Sequence, residues 1–157
     1  MNLFVLNSFL ALGFSAVLGE FSVSGFAAGY AVGFLALWVT RPLYGENSYF
    51  KRLPRALGLV GYFLYQLLVS NLRVLWDVIT PRQGSRPGIV GVPLAARTDL
   101  EITLVANLVS LTPGTLSLDV SDDRQTLYVH VMFMDDIDAV RAAIKDGIER
   151  RVLEVLR

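Results

Sequence analysis

The stretch Leu3–Thr40 reads LFVLNSFLALGFSAVLGEFSVSGFAAGYAVGFLALWVT and decides the fold class of this chain. It holds two apolar runs, Leu3–Gly19 and Ser22–Thr40, which contain no Lys, Arg, Asp or Glu and are separated only by Glu20 and Phe21. Each run is close to the roughly 17–25 helical residues that cross about 30 Å of hydrocarbon. The sequence therefore predicts a membrane protein in which these two runs, at about 3–19 and 22–40, are spanning helices.

The composition agrees with a membrane protein that also carries a soluble part. Hydrophobic residues make up 54% of the 157 residues, and the mean hydropathy of +0.51 is above that of ordinary soluble domains. The formal net charge of zero combines +3 in residues 1–82 with −3 in residues 83–157. The sequence contains no cysteine, which excludes disulfides, thiolate metal sites and cysteine nucleophiles. The first apolar run lacks a basic region before it, so we expect a retained helix rather than a cleaved signal.

Glycines recur at one-turn spacing in the second apolar run, at Gly25, Gly29 and Gly33. Such a stripe bares the backbone on one helical face and lets another helix approach closely. The three glycines therefore predict a helix-packing face. Its partner is either the first helix or a helix of another subunit, and our hypothesis is that the face docks on a neighbouring subunit.

A third apolar stretch, Ala56–Ile79, follows the basic loop Arg41–Arg55, which the positive-inside rule places in the cytoplasm. Its second half carries a polar stripe at helical spacing, formed by Gln66, Ser70, Arg73 and Asp77. If the stretch spans, Arg73 and Asp77 form an ion pair near one membrane face. If it lies at the interface, the loop and the tail share the cytoplasm, and this alternative satisfies the charge rule throughout.

The Pro/Gly/Ser-rich segment 81–87 predicts a linker between the membrane helices, residues 1–80, and a small cytoplasmic domain, residues 88–157. We expect a strand, a helix, a hairpin and a final helix, at Ile89–Leu94, Leu100–Leu111, Thr115–Val120 with Thr126–Phe133, and after Asp135. Thr98 and Glu101 form a capping box at the start of the first helix. Its predicted apolar face consists of Leu100, Leu104, Asn107, Leu108 and Leu111. The order β-α-β-β-α is most of a ferredoxin-like α+β fold.

No constellation in the sequence predicts catalysis, a cofactor or a metal site. His130 lies alone in a strand, without a second His or Cys. The acidic cluster Asp119, Asp122, Asp123, Asp135, Asp136 and Asp138 lacks EF-hand spacing, and turns and helix caps explain it better. Nucleotide-binding and hydrolase motifs are absent from the sequence, and the negative tail argues against a nucleic-acid partner.

The segment Asp99–Val131 resembles the E subunit of the multisubunit Mrp-type Na⁺/H⁺ antiporters, which are also called Mnh or Pha. The most specific part of this resemblance is Ala106–Leu116, which includes Asn107, Thr112, Pro113 and Gly114. The resemblance continues into residues 148–154 and covers essentially the whole chain.

The resemblance implies an accessory subunit of a large bacterial membrane complex related to the membrane arm of respiratory complex I. That complex exports Na⁺, or K⁺ in some relatives, in exchange for protons. Ion-translocating residues belong largely to its big subunits, so no catalytic residue is carried over, and we expect Asn107, Thr112, Pro113 and Gly114 to serve folding and docking.

This interpretation predicts a multi-pass protein of the bacterial inner membrane with a cytoplasmic C-terminal domain. Its expected partners are the other membrane subunits and the lipid bilayer. The alternative is a stand-alone, membrane-anchored ligand-binding or sensor module, because ferredoxin-like domains often bind small molecules or ions.

Overall fold

The computed structural model describes residues 2–44, 49–80 and 85–157. The N-terminal helices are α1 (Leu3–Leu18), α2 (Val23–Val39) and α3 (Tyr49–Ile79), with a 3₁₀ turn at Arg41–Leu43. There follow β1 (Gly88–Pro93), α4 (Asp99–Leu111), β2 (Thr115–Val120) and β3 (Thr126–Val131). The C-terminal helix comprises α5 (Ile137–Ala142), a π-helical turn (Ala143–Glu149) and α6 (Arg150–Leu156).

Contacts divide the chain into two compact units, Met1–Lys51 and Arg52–Arg157. Most of α3 is therefore grouped with the C-terminal domain, and the division falls earlier than the predicted linker at 81–87, which stays a prediction. Residues 81–84 of that linker and residues 45–48 of the predicted basic loop lie outside the described residues.

The first unit is a hairpin of α1 and α2. The chain leaves α1 through Gly19, whose φ of +68° is the left-handed geometry of a glycine C-cap. It enters α2 through Ser22, whose hydroxyl accepts the Gly25 N–H at 3.0 Å. Every fourth residue is buried along each helix, namely Leu3, Asn7, Ala11 and Ser15 in α1 and Gly25, Gly29, Gly33 and Leu37 in α2.

The glycine face of α2 thus lies against α1 of the same chain. A Cβ added to Gly29 would stand 2.9 Å from the carbonyl oxygen of Ala11, and one added to Gly33 would collide with Asn7 Oδ1. The hypothesis that this face docks on a neighbouring subunit is therefore corrected, because α1 covers it. The other predicted partner, the first helix, is the one found.

The start of α3 differs from the prediction. The sequence places a loop up to Arg55, because Pro54 normally breaks a helix, whereas α3 begins at Tyr49 and contains Pro54. The ring of Phe34 lies 5.8 Å from that of Tyr49, and the Tyr49 hydroxyl accepts a 2.7 Å hydrogen bond from the Asn7 side chain. These contacts anchor the first turn, so the helix tolerates the proline.

Helix length gives a further difference. Among the described residues, α3 with 31 residues is the one helix long and apolar enough to cross a membrane by length and composition. The hairpin helices α1 and α2 have 16 and 17 residues, shorter than the predicted ranges. By the helical rise they measure about 24 and 26 Å, slightly less than the hydrocarbon thickness.

The second unit contains a small antiparallel sheet with strand order β1-β3-β2. The helices α4 and the C-terminal helix cover one face, and the core is apolar: Val90, Val92, Val105, Val109, Leu127, Val129, Val131, Ile144, Ile148 and Val152. The predicted combination of N-terminal helices and a small C-terminal α+β region is confirmed, and so is the capping box of Thr98 and Glu101.

The predicted apolar face of α4 is wrong in part, since Leu104 and Leu108 pack partly buried against the core but do not form its centre. The residues buried in α4 are Glu101, Ile102, Val105 and Val109. Leu100 and Leu111, by contrast, are 59% and 60% exposed. Apolar residues surround most of α4, so the helical period alone does not select a face; the β-branched side chains lie on the sheet.

We predict that Gly29→Leu separates α1 from α2. The larger side chain has no space against Ala11, and such overpacking costs about 1–3 kcal/mol. Thermal unfolding of the full chain in detergent, followed by circular dichroism, should show a clear loss of stability. Gly13→Leu is the matched control, since a Cβ at Gly13 meets nothing within 4 Å. Equal stability of the two variants would contradict this packing.

Candidate functional site

Helix α3 has two different sides. Large apolar side chains stand exposed along one part of its surface, namely Leu57, Val60, Leu64, Tyr65, Leu68, Val69, Leu72, Leu75, Trp76, Val78 and Ile79. The opposite side faces the C-terminal domain: Leu59 and Tyr62 pack on the core, and Gln66, Ser70 and Arg73 line a cavity. Three residues of the predicted polar stripe therefore have their own domain as a partner.

Tyr62 contacts the C-terminal helix in the middle of α3. The Arg151 guanidinium lies 3.8 Å from the centroid of the Tyr62 ring, and Gln66 Nε2 donates a 2.8 Å hydrogen bond to the Tyr62 hydroxyl. A Cβ at Gly147 would collide with that hydroxyl. Arg151 also donates to the Gly147 carbonyl at 2.8 Å. The absence of a side chain at Gly147 thus makes room for the tyrosine.

The ionisable side chains of α3 bind the domain at both ends of this contact. Arg55 Nη1 donates to the Glu154 carbonyl at 3.0 Å, close to the start of α3. Farther along, Arg73 Nη2 contacts Asp135 Oδ2 at 3.2 Å and its guanidinium stacks 4.6 Å from the Phe133 centroid. Arg73 therefore contacts Asp135 of the domain, and its predicted ion pair with Asp77 stays a prediction. The pair of Arg73 and Asp135 is exposed, so it adds only about 0–1 kcal/mol.

A cavity of about 230 Å³ lies between α3 and the end of the sheet. Thr112, Pro113 and Gly114 line it opposite Gln66, Ser70 and Arg73. Gly114 adopts φ +88°, a backbone conformation that favours glycine, and its carbonyl accepts the Met132 N–H at 2.7 Å. Thr112 Oγ1 donates to the Leu108 carbonyl at 3.0 Å. The turn therefore ends α4 and also forms one wall of the cavity, whereas Asn107 is exposed on α4 and does not line it.

Two buried glutamates hold the segment that leads from β1 into α4. Glu149, 2% exposed, accepts the N–H groups of Ala95 and Ala96 at 2.6 and 2.9 Å. Glu101 accepts two hydrogen bonds from the Arg157 side chain and two from the backbone N–H groups of Arg97 and Thr98. The Arg157 hydrogen bond is the main cause that lowers the pKa of Glu101 to about 2. Both carboxylates therefore have structural partners.

The remaining polar candidates are His130 and the six aspartates of the acidic cluster. His130 lies between the buried Val129 and Val131 and projects to the opposite face of the sheet. Five of the six aspartates accept hydrogen bonds or pair with arginine: Asp119, Asp123, Asp135, Asp136 and Asp138. Within residues 2–44, 49–80 and 85–157, no three His, Asp or Glu side chains form a group that could hold a metal ion.

The sequence predicted the polar stripe of α3 and the turn at Thr112. It did not predict that the two line the same cavity. It missed Tyr62, Gly147, Arg151 and Glu149 altogether. One signal was available, since a glycine inside a strongly periodic helix usually has a packing reason.

We predict that Gly147→Val detaches the middle of α3 from the domain. The new side chain occupies the position of the Tyr62 hydroxyl, so the tyrosine must leave its place and α3 loses this contact with the domain. Hydrogen–deuterium exchange of the full chain in detergent should then become faster in residues 59–73. Gly61→Val serves as the control, because a Cβ at Gly61 meets nothing within 4 Å. Unchanged exchange in Gly147→Val would rule out this contact.

The family model and the most similar curated relatives all point to subunits of Na⁺/H⁺ antiporters. The family model of a Na⁺/H⁺ ion antiporter subunit matches residues 7–155. The Na⁺/H⁺ antiporter E subunit of Alkalihalophilus pseudofirmus is 35% identical over 153 residues, covering 98% of this chain and 97% of the relative. The corresponding E subunit of Bacillus subtilis shows the same identity and coverage.

Solved structures agree with this result. A chain of the Mrp complex from Dietzia sp. DQ12-45-1b is 30% identical, with a TM-score of 0.50, covering 66% of this chain and 96% of that one. A chain of the archaeal membrane-bound sulfane sulfur reductase shares the fold at 22% identity and a TM-score of 0.53, covering 87% and 86%. The family match over residues 7–155 and the close relatives show that this chain belongs to the family of Na⁺/H⁺ antiporter E subunits.

Proposed function

We propose that this chain is an accessory, non-catalytic subunit of a complex that exchanges Na⁺ or K⁺ for protons across the bacterial cell membrane. Its partners are the other membrane subunits of that complex. The observation that carries the proposal is the composition of the apolar helices. Neither α1 nor α2 contains Asp, Glu, Lys, Arg or His. A path for ions and protons needs ionisable groups within the membrane, so other subunits must supply it.

The ionisable residues of α3 support the same proposal. Arg52 and Arg55 donate to backbone carbonyls of Arg157 and Glu154, and Arg73 contacts Asp135. These side chains fasten α3 to the domain of the same chain. Their geometry serves attachment, which is the task of an assembly subunit.

We further propose that α3 lies at the membrane interface, although it is long enough to span. The domain contacts α3 from Arg55 to Arg73, a length of about 27 Å by the helical rise. This is nearly the whole hydrocarbon thickness, and a polar domain does not lie inside hydrocarbon. If α3 lies at the interface, its exposed apolar side contacts the bilayer and its polar side contacts the domain, so each side has a suitable environment. The chain is then multi-pass through α1 and α2, with the domain in the cytoplasm.

The C-terminal domain is proposed to be a ferredoxin-like fold without its last strand. The sheet order β1-β3-β2 leaves β1 at the edge where that strand would pair. Two long basic side chains cover this edge: Arg141 Nε donates to the Gly91 carbonyl at 3.0 Å and Lys145 Nζ to the Pro93 carbonyl at 2.9 Å. Lysine and arginine at an exposed edge oppose pairing with another strand.

The orientation is testable because the sequence has no cysteine. We predict that Glu20→Cys, in the connection of the hairpin, reacts with a membrane-impermeant maleimide in intact cells. Asp122→Cys, in the β2–β3 turn, should react only in everted vesicles. Labelling of both cysteines from the same side would contradict the proposed topology.

The function is testable with the native complex. We expect the tagged chain to co-purify in mild detergent with several larger membrane subunits. In everted vesicles, Arg73→Gln should leave Na⁺- or K⁺-driven proton exchange, normalised to assembled complex, within about twofold of the wild type, because a lost exposed contact changes stability little. Arg124→Gln, which removes another exposed ion pair, is the control. Recovery of the chain alone would overturn the proposal and favour the stand-alone sensor.

A further inference from the structure

The cavity of about 230 Å³ between α3 and the end of the sheet has mainly apolar walls. Four of the residues that line it belong to the buried core and are at most 7% exposed, namely Val109, Val131, Ile144 and Ile148. Dry apolar cavities of about 150 Å³ already bind molecules such as benzene. The space beneath α3 is therefore large enough to hold an apolar group.

The polar side chains of this cavity are few and mostly engaged. Among the described residues that line it, Arg73 is the one ionisable side chain, and it contacts Asp135 at 3.2 Å. Three other lining side chains donate hydrogen bonds within the chain, namely Gln66, Thr112 and Thr115. Ser70 adds a single hydroxyl. Ordered water takes two to four polar partners and an anion needs a cation to pair with, so this lining favours an uncharged apolar ligand.

One rim of the cavity is continuous with the exposed apolar side of α3. Val69 lines the cavity and is also 42% exposed, so it belongs to both surfaces. Tyr65 and Leu72, one helical turn before and after Val69, are 62% and 64% exposed on the same flank of the helix. An apolar surface thus leads from the outer side of α3 to the cavity.

We infer that the cavity holds the end of one acyl chain of a neighbouring membrane lipid. The inference rests on the proposed interfacial position of α3, which places the flank with Tyr65 and Leu72 against the bilayer. The chain enters past Val69 and fills the space between α3 and the core, while the headgroup stays outside the cavity. The lipid is then a further component of the contact between α3 and the domain, besides Tyr62 and Arg73.

The test is photolabelling of the purified complex in nanodiscs that contain phosphatidylcholine with a diazirine at the end of one acyl chain. The labelled residues are identified by tandem mass spectrometry. We expect label on Val131 and Ile144, which line the cavity and are each only 5% exposed. Phosphatidylglycerol with the same chain should label them equally, because the cavity receives the chain and not the headgroup.

Two variants narrow the cavity from different elements, Ala143→Phe on the C-terminal helix and Ser70→Leu on α3. Each should abolish the label on Val131 and Ile144, measured on the assembled complex. Ala142→Phe is the matched control, because Ala142 is exposed beside Ala143 and does not line the cavity. The control should keep the labelling of the wild type.

Three results would overturn the inference. They are no label on Val131 and Ile144 in the wild type, label that persists in either narrowed variant, and label that depends on the headgroup. Failure of the interfacial position of α3 is read separately, from an absence of label on Leu64 and Leu68 of its exposed apolar side. Failure of the proposed function is read from the subunits that co-purify.

Discussion

The packing of Tyr62 on Gly147 is the contact that holds the middle of α3 against the C-terminal domain. It brings α3 against the C-terminal helix at a position where a side chain would collide with the Tyr62 hydroxyl. Arg151, one turn after Gly147 on the same helix, places its guanidinium 3.8 Å from the centroid of the tyrosine ring. Because this contact fixes one side of α3 to the domain, the exposed apolar side must find a different environment.

The π-helical turn explains how one helix serves three neighbours at once. Gly147, Ile148 and Glu149 are consecutive and all buried, which an α-helix on a single packing surface does not allow. Gly147 faces α3, Ile148 enters the core, and Glu149 accepts the N–H groups of Ala95 and Ala96. The wider turn distributes these residues around the helix, in keeping with the tendency of π-bulges to occur at functional positions.

Local patterns in the sequence predicted the features that depend on neighbouring residues. The capping box of Thr98, the β2–β3 hairpin and the glycine stripe of α2 are all encoded within a few residues, and all are present. The errors concern contacts between distant residues. Pro54 suggested a loop because Phe34 and Asn7, which anchor the start of α3, lie far away in sequence. The buried face of α4 was predicted only in part for the same reason, since a helical period does not specify which surface of the helix packs against the sheet.

The distribution of charge follows from the two environments of α3. A helix beside hydrocarbon must turn its ionisable groups away from lipid, because charged side chains are costly inside the membrane. Instead, Arg52 and Arg55 donate hydrogen bonds to backbone carbonyls of the domain. Arg73 contacts the Asp135 carboxylate and the Phe133 ring. The hairpin needs no such groups, because close packing of Gly29 and Gly33 on α1 holds it together. Attachment within the chain thus uses its polar groups and glycines, which leaves the apolar surfaces of all three helices for lipid and neighbouring subunits.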